Sequence, residues 1–497
     1  MVDFYRREML GGLAALMVAA RASGAATAAA APFSWDALQA RAAALARQPY
    51  TAPAKVAAAA AVDYDKVGAI RYREAKQLAG GIRLFPLGRY APMPVKINVV
   101  ENGRAIPVPF TPDLFESEAG HAPALGIAGF RAMAPGGKSD WLAFMGASYF
   151  RTAGSQDQYG LSARGIAIDT GISDKEEFPD FTEFWIERTG PQAYTIYALM
   201  DGPSLTGAYR FESTHANGVR QRVSSVLNIR RDIQRLGIAP ATSMFWYGEG
   251  NRAAGTDWRP EIHDSDGLAL HTGAGERIWR PLANPPHETT DSFQDENPKG
   301  FGLIQRDRAF DHYQDDGAFY DRRANLWVEP QGQWGKGAVT LFAFPTAAET
   351  VDNIVAFWTP AAPVRAGQTL KFDYALTWGS TDPTVAPNTA NVAHAVESWR
   401  GTAGRPGGEA IAGAKKLVVD FVGPGLAGLD RSSGVTPQID VARGKLLASA
   451  AYPVVGQPNR WRVTADVAIE GGGPADVRLF LKRGTTSLSE TVLAPIF

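Results

Sequence analysis

The chain has 497 residues, with 50 Lys and Arg against 51 Asp and Glu, a net charge of −1. A balance this even gives no electrostatic footing to a nucleic acid or to an anionic membrane surface. The absence of cysteine removes disulfides, thiolate nucleophiles, iron–sulfur clusters and Cys-ligated zinc. Hydrophobic residues at 45% and charged residues at 20% fit a folded protein of two or more domains, and 52 Gly with 33 Pro favour an all-β architecture rich in turns.

Arg6 and Arg7 precede an apolar run from Met9 to Ala20, followed by Ala-rich sequence through Ala31. This is the layout of a bacterial export signal, and the paired arginines suggest the twin-arginine route. Residues 1–31 are therefore set apart from the fold. Phe33–Arg47 has helical spacing, with Trp35, Leu38, Ala42 and Leu45 on one face and Ser34 as N-cap. Strands follow at Ile82–Leu87 and Val95–Val100, and Asn102-Gly103 signals a hairpin. Trp141–Arg151, Gly165–Thr170, Phe181–Arg188, Ala193–Met200, Gln221–Ile229 and Thr242–Tyr247 continue the pattern, with a short helix or turn ending at Gln234–Gly237. Gly302–Asp307, Asn325–Glu329, Gly337–Phe344 and Val351–Trp358 complete it. Such even spacing predicts a large antiparallel β-sandwich over 32–384. Residues 385–415 read as a linker or lid loop. The short strands of 416–497 have the size and pattern of an immunoglobulin-like β-sandwich.

Chemistry concentrates in Trp258–Pro281, WRPEIHDSDGLALHTGAGERIWRP, where Glu261, His263, Asp264, Asp266 and Glu276 lie among tryptophans. Carboxylates beside indoles point to carbohydrate, since sugars offer hydroxyls to acids and flat C–H faces to rings. The plainer reading is an acidic hairpin loop. A second acidic element, Pro345–Pro360, carries Glu349, Thr350 and Asp352 ahead of a strong strand; its plainer reading is a turn or cap pair. Cleaving a glycosidic bond needs two carboxyl groups in different environments, one protonated and one ionised. No phosphate-binding loop, HExxH or GxSxG is present, and nothing in the spacing of the seven histidines supports a metal. Asp311–Arg323 reads mainly as a solvated loop, and Arg151 and Arg164 read as structural.

Several stretches together resemble the periplasmic glucan biosynthesis family, the MdoG/OpgG and OpgD proteins. They are MGASYFR (Met145–Arg151), YGLSARGIAIDT (Tyr159–Thr170), FTEFWIER (Phe181–Arg188) and GIAPATSMFWYG (Gly237–Gly248). RPEIHDSDGLALHTGAGERIWRPL (Arg259–Leu282), ENPKGFGLIQRDRAF (Glu296–Phe310), GQWGKGAV (Gly332–Val339) and ETVDNIVAFWTP (Glu349–Pro360) follow in order. The twin-arginine-like leader is nearer to the OpgD branch.

The resemblance implies a periplasmic protein that acts on β-1,2-glucan, as an inverting endo-glucanase or as a transglycosylase that cyclises the glucan. A non-catalytic glucan-binding scaffold for a membrane synthase is the alternative from another class. By motif position Asp352 matches the general acid and Asp264 the general base, with Glu349, Thr350 and Tyr320 near the acid or along a proton path. Arg259 is expected to keep Asp264 ionised, and Trp358 to help desolvate Asp352. His263, Trp246, Trp258, Trp279 and Trp358 join Arg259 as expected substrate-binding residues. No metal or organic cofactor is implied. A membrane glucan synthase and a second copy of the chain are the protein partners the resemblance suggests.

Overall fold

The computed structural model describes residues 30–117, 124–172, 175–385, 392–405, 407–470 and 474–497. The export-signal reading therefore falls almost wholly outside the described residues. Strand makes up 52% and helix 9%, which settles an all-β fold built from large antiparallel sheets.

The first helix is Trp35–Ala46, and the Ser34 side chain accepts a hydrogen bond from the Ala37 N–H at 3.2 Å. Leu38 and Ala42 are buried against Trp185, Leu199 and Ala208 of the large sheet. The Asn102-Gly103 turn joins Lys96–Glu101 to Arg104–Val108 with φ of +50° and +71°. Both values lie in the left-handed region that a type I′ hairpin requires.

Two sheets face one another. The larger has sixteen strands and centres on the long antiparallel run Asp180–Gly190, Ala193–Asp201, Leu205–Ala216, Gly218–Ile229 and Thr369–Gly379. It continues through Asn325–Gln331, Gly300–Ile304, Gly267–His271 and Arg277–Pro281. The second sheet has ten strands, among them Leu236–Ser243 and Ile354–Pro360 side by side. Aromatic rings interlock between the layers: Phe144 of the second sheet meets Phe211 of the first edge-on at 5.2 Å. Phe130, Phe144, Phe211 and Trp378 belong to the buried core between the layers.

Three sequence expectations shift. Gln234–Gly237 does not end a helix: Gln234 lies in a bend, and Leu236 and Gly237 start a strand, with Gly237 opposite Ala167 and a Cβ there 2.7 Å from the Phe357 ring. The strand expected from Val351 starts at Ile354, which leaves Val351 and Asp352 in the preceding bend. The presumed loop of 385–415 contains the strand His394–Thr402.

That strand pairs with Ala414–Val422, then Arg460–Ile469 and Gly444–Pro453, in a separate four-stranded sheet. Val435–Ala442, Ala475–Arg483 and Thr491–Ile496 oppose it. They also extend the large sheet, through the parallel pairs Ile278↔Thr491 and Trp279↔Val492. Their core includes Trp279, Ile304 and Trp327 of the large sheet, so the C-terminal layers are packed onto it.

Candidate active site

The two acids singled out by sequence come from opposite sheets. Asp264 lies between the two-residue strand Ile262–His263 and the strand Gly267–His271 of the large sheet. Asp352 lies two residues before Ile354–Pro360 of the second sheet. One segment gathers them. The Asp264 N–H donates to the Met244 carbonyl at 2.9 Å, and the Phe245 N–H donates to the Asn353 side chain at 2.9 Å. Asn353 also donates from Nδ2 to the Phe344 carbonyl at 2.9 Å, which pins the bend bearing Asp352.

Their environments differ. The Asp264 side chain is buried, and its Oδ1 has no hydrogen-bond partner within the protein; the nearest cation is Arg323 Nε at 3.4 Å. Burial pushes the Asp264 carboxyl up, and Arg323, His263 and Arg151 pull against that rise. The Asp352 residue is exposed, yet the protein around its carboxyl desolvates it. Desolvation and then the charge of Asp264 push Asp352 up to about 6, against Arg164, Arg151 and Arg323. Two carboxyl groups sharing a site do not ionise together, and the one held by the nearer cation ionises first. Arg323, ion-paired with Asp264 at 3.4 Å, favours the charged form of Asp264.

Glu349 is the hub beside them. Its Oε2 accepts from Tyr320 Oη at 2.8 Å and from Arg259 Nη1 at 2.9 Å. The Tyr320 hydroxyl is pushed up by burial and by Glu349, and it feels the charge of Asp264. Thr350 is exposed in the turn between Glu349 and Asp352.

Other expected residues are elsewhere. Arg259 does not serve Asp264: its guanidinium is taken by Asp257 at 2.8 Å, Asp315 at 2.6 Å and Glu349 at 2.9 Å. His263 is 1% exposed on the opposite side of its strand, between Glu261 and Gln305, with no face for a substrate. Trp358 is a core residue with 0% exposure, tilted against Trp334. Trp279 is buried beneath the Arg306 guanidinium, 3.6 Å from its ring centroid. Neither indole can act as a platform there. Trp246 is half-buried against Tyr247, and Trp258 is 71% exposed.

Sequence reasoning missed Arg323, Arg151 and Arg164. Arg323 sits in a run dismissed as a solvated loop, yet its guanidinium lies 4.8 Å from the Tyr320 ring centroid and Nη1 donates to the Tyr159 carbonyl. The signal available was the density of Tyr, Asp and Arg in that run. Behind the acids, Glu261, Asp307 and His312 bring potential metal-ligand atoms within 4.8 Å of one another. His312 already bonds Asp307 at 2.5 Å and Glu261 already bonds His263 at 3.0 Å.

Comparison with known proteins agrees in family. The model of the periplasmic glucan biosynthesis protein family, MdoG, matches residues 33–496. Glucans biosynthesis protein D 2 of Ralstonia nicotianae is 44% identical over 494 residues, covering 93% of this chain and 90% of that relative. The probable glucans biosynthesis protein D of Shewanella oneidensis is 45% identical over 422 residues, covering 82% and 77%. A solved polysaccharide lyase shares 10% identity over 75% of this chain and 45% of its own, with a TM-score of 0.24, too slight a likeness to carry an argument. A match that spans both sandwiches and includes the acid-bearing segments leaves one conclusion: the chain belongs to the periplasmic glucan biosynthesis protein family, MdoG.

Proposed function

We propose that the protein is exported to the periplasm and cleaves β-1,2-glucan with inversion, Asp352 acting as general acid and Asp264 as general base. The observation that carries the reading is the unequal acid pair: Asp352 pushed up to about 6, beside a buried Asp264 ion-paired at 3.4 Å to Arg323. The protonated Asp352 gives its proton to the glycosidic oxygen as the C1–O bond breaks. Water adds to C1 from the opposite face, and its proton passes to Asp264 directly or through a relay. Tyr320, bonded to Glu349 and close to Asp264, is the relay we favour. Since Asp264 must be charged and Asp352 protonated, activity belongs on the acid side of the Asp352 pKa.

The test incubates purified mature protein with linear β-1,2-glucan, beside Asp352→Asn and Asp264→Asn, with products followed by mass spectrometry and anomer-resolved NMR. Shorter glucans of inverted anomeric configuration, lost in both variants, are expected. Ring products lacking one water would make the protein a transglycosylase. Glucan binding without turnover would make it a scaffold for a synthase.

A further inference from the structure

Phe178 is 47% exposed, an unusual position for a phenylalanine. It is not on a slack segment. Glu176, two residues before it, accepts from Arg164 Nη1 at 2.8 Å and from the Thr170 hydroxyl at 2.9 Å. Glu177, just before it, accepts from the Ser204 N–H at 2.9 Å and the Ser204 hydroxyl at 2.6 Å. Pro179 follows, which holds Phe178 in extended backbone. Three residues on, the Phe181 N–H donates to the Ala147 carbonyl at 3.0 Å. An apolar ring is thus fixed in an ordered frame and left open to water.

The ring is also backed. The Arg164 guanidinium carbon lies 5.0 Å from the Phe178 ring centroid and 5.0 Å from that of Tyr149. Arg164 itself is 6% exposed, and its Nε donates to the Thr242 hydroxyl at 3.1 Å. The same arginine lowers the Asp352 pKa, and the charge of Asp352 acts on Tyr149. Geometry ties them to the acid: Tyr149 stands opposite Arg164 on the neighbouring strand, and Thr242, which Arg164 bonds, stands opposite Val355, three residues after Asp352, so the open aromatic and the acid-bearing bend belong to one stretch of the second sheet.

We infer that Phe178 is a stacking platform for a glucose ring of the chain whose scissile bond lies at Asp352. The inference deepens the proposed function and rests on it. A pyranose presents a face of C–H groups that an aromatic ring covers well. Glu176, half-exposed beside the ring, offers a carboxylate to the hydroxyls at the sugar's edge. Because its neighbours in the chain are already held by hydrogen bonds, little backbone entropy is lost on binding. No feature of Phe178 in the sequence marks it, since a Phe before a Pro reads as a strand boundary.

The test is calorimetric titration of linear β-1,2-glucan into Asp352→Asn, so that nothing is cleaved, and into the same variant carrying Phe178→Ala, Phe178→Leu or Phe178→Trp. Ala and Leu are expected to weaken binding about tenfold, Leu because it covers Arg164 without offering a flat face, and Trp to restore it. Equal affinity in all four proteins overturns the platform and leaves the glucan reading standing. No binding even by Asp352→Asn overturns both. A control with Asp352 intact separates stacking from support of Arg164. Phe178→Ala should leave the alkaline limb of the pH–rate profile in place, and movement of that limb to higher pH would overturn the platform in favour of a supporting role.

Discussion

His263 and Asp264 are consecutive residues, and an extended backbone sends their side chains to opposite sides. On the His263 side both ring nitrogens have found a partner. Nε2 meets Glu261 at 3.0 Å, Nδ1 meets Gln305 at 3.1 Å, and Asp266 lies 3.5 Å away. Burial opposes a charge on His263, yet the Glu261 hydrogen bond and the nearby carboxylates raise it to about 9. That side closes a junction with the C-terminal sandwich. Glu249 accepts from the Ser398 N–H at 2.8 Å, and Arg306 binds Asp382 and Glu490 at 2.8 and 2.6 Å. A pocket of about 270 Å³ remains between them. On the Asp264 side a buried carboxylate oxygen has no hydrogen bond. A satisfied buried network rigidifies a fold, while a buried carboxylate oxygen left without a hydrogen bond marks a candidate for binding or catalysis.

The comparison breaks most visibly through turnover. Asp264→Asn or Asp352→Asn should lower the rate of glucan cleavage by about 10²–10⁴-fold, measured as new reducing ends, with no loss of thermal stability. His263→Ala should do the reverse. It strands Glu261 and Asp266, and about 3–5 kcal/mol of stability should be lost in denaturant titration, with much less change in rate per folded molecule.

The pH dependence of stability sharpens the same contrast. The folded pKa of His263 is raised above its unfolded value near 6.5, so its contribution is complete below about 6.5 and disappears as pH rises through about 9. Glu249, pushed up to about 8 from an ordinary value near 4.5 by burial and by Glu261, costs stability progressively as pH rises from about 4.5 to 8. Stability should therefore fall from pH 6.5 to 9, by up to about 1.4 kcal/mol per pH unit for each proton released, and His263→Gln should flatten the curve. Smallest is Trp258→Ala. With 71% of the residue exposed, it should change stability by no more than about 0.5 kcal/mol, so any drop in glucan affinity would report contact with the ligand.

Much of this was legible in the sequence because the signals are local. The helix after Ser34, the Asn102-Gly103 hairpin and the period-2 strands follow from neighbours in the chain. The two acids were singled out by motif position. What escaped depends on long-range placement. Nothing in IHDSDG says which of His263 and Asp264 faces the cleft, since a one-residue change of register reverses both. Arg323, 59 positions from Asp264, meets it only because Asn325–Gln331 and Gly267–His271 both flank Gly300–Ile304. The tryptophans misled for the opposite reason: an indole reads alike as core or platform, and Trp358 and Trp279 proved to be core. The strand His394–Thr402 was hidden by the Gly- and Pro-rich sequence on either side.

The central claim is that Asp352 holds a proton because its carboxyl is desolvated beside a charged Asp264, and the dependence of kcat/KM for β-1,2-glucan on pH tests it most directly. The account predicts a fall in kcat/KM as pH rises through about 6, where Asp352 ionises. A profile that is flat, or that climbs, between pH 5 and 8 would contradict it.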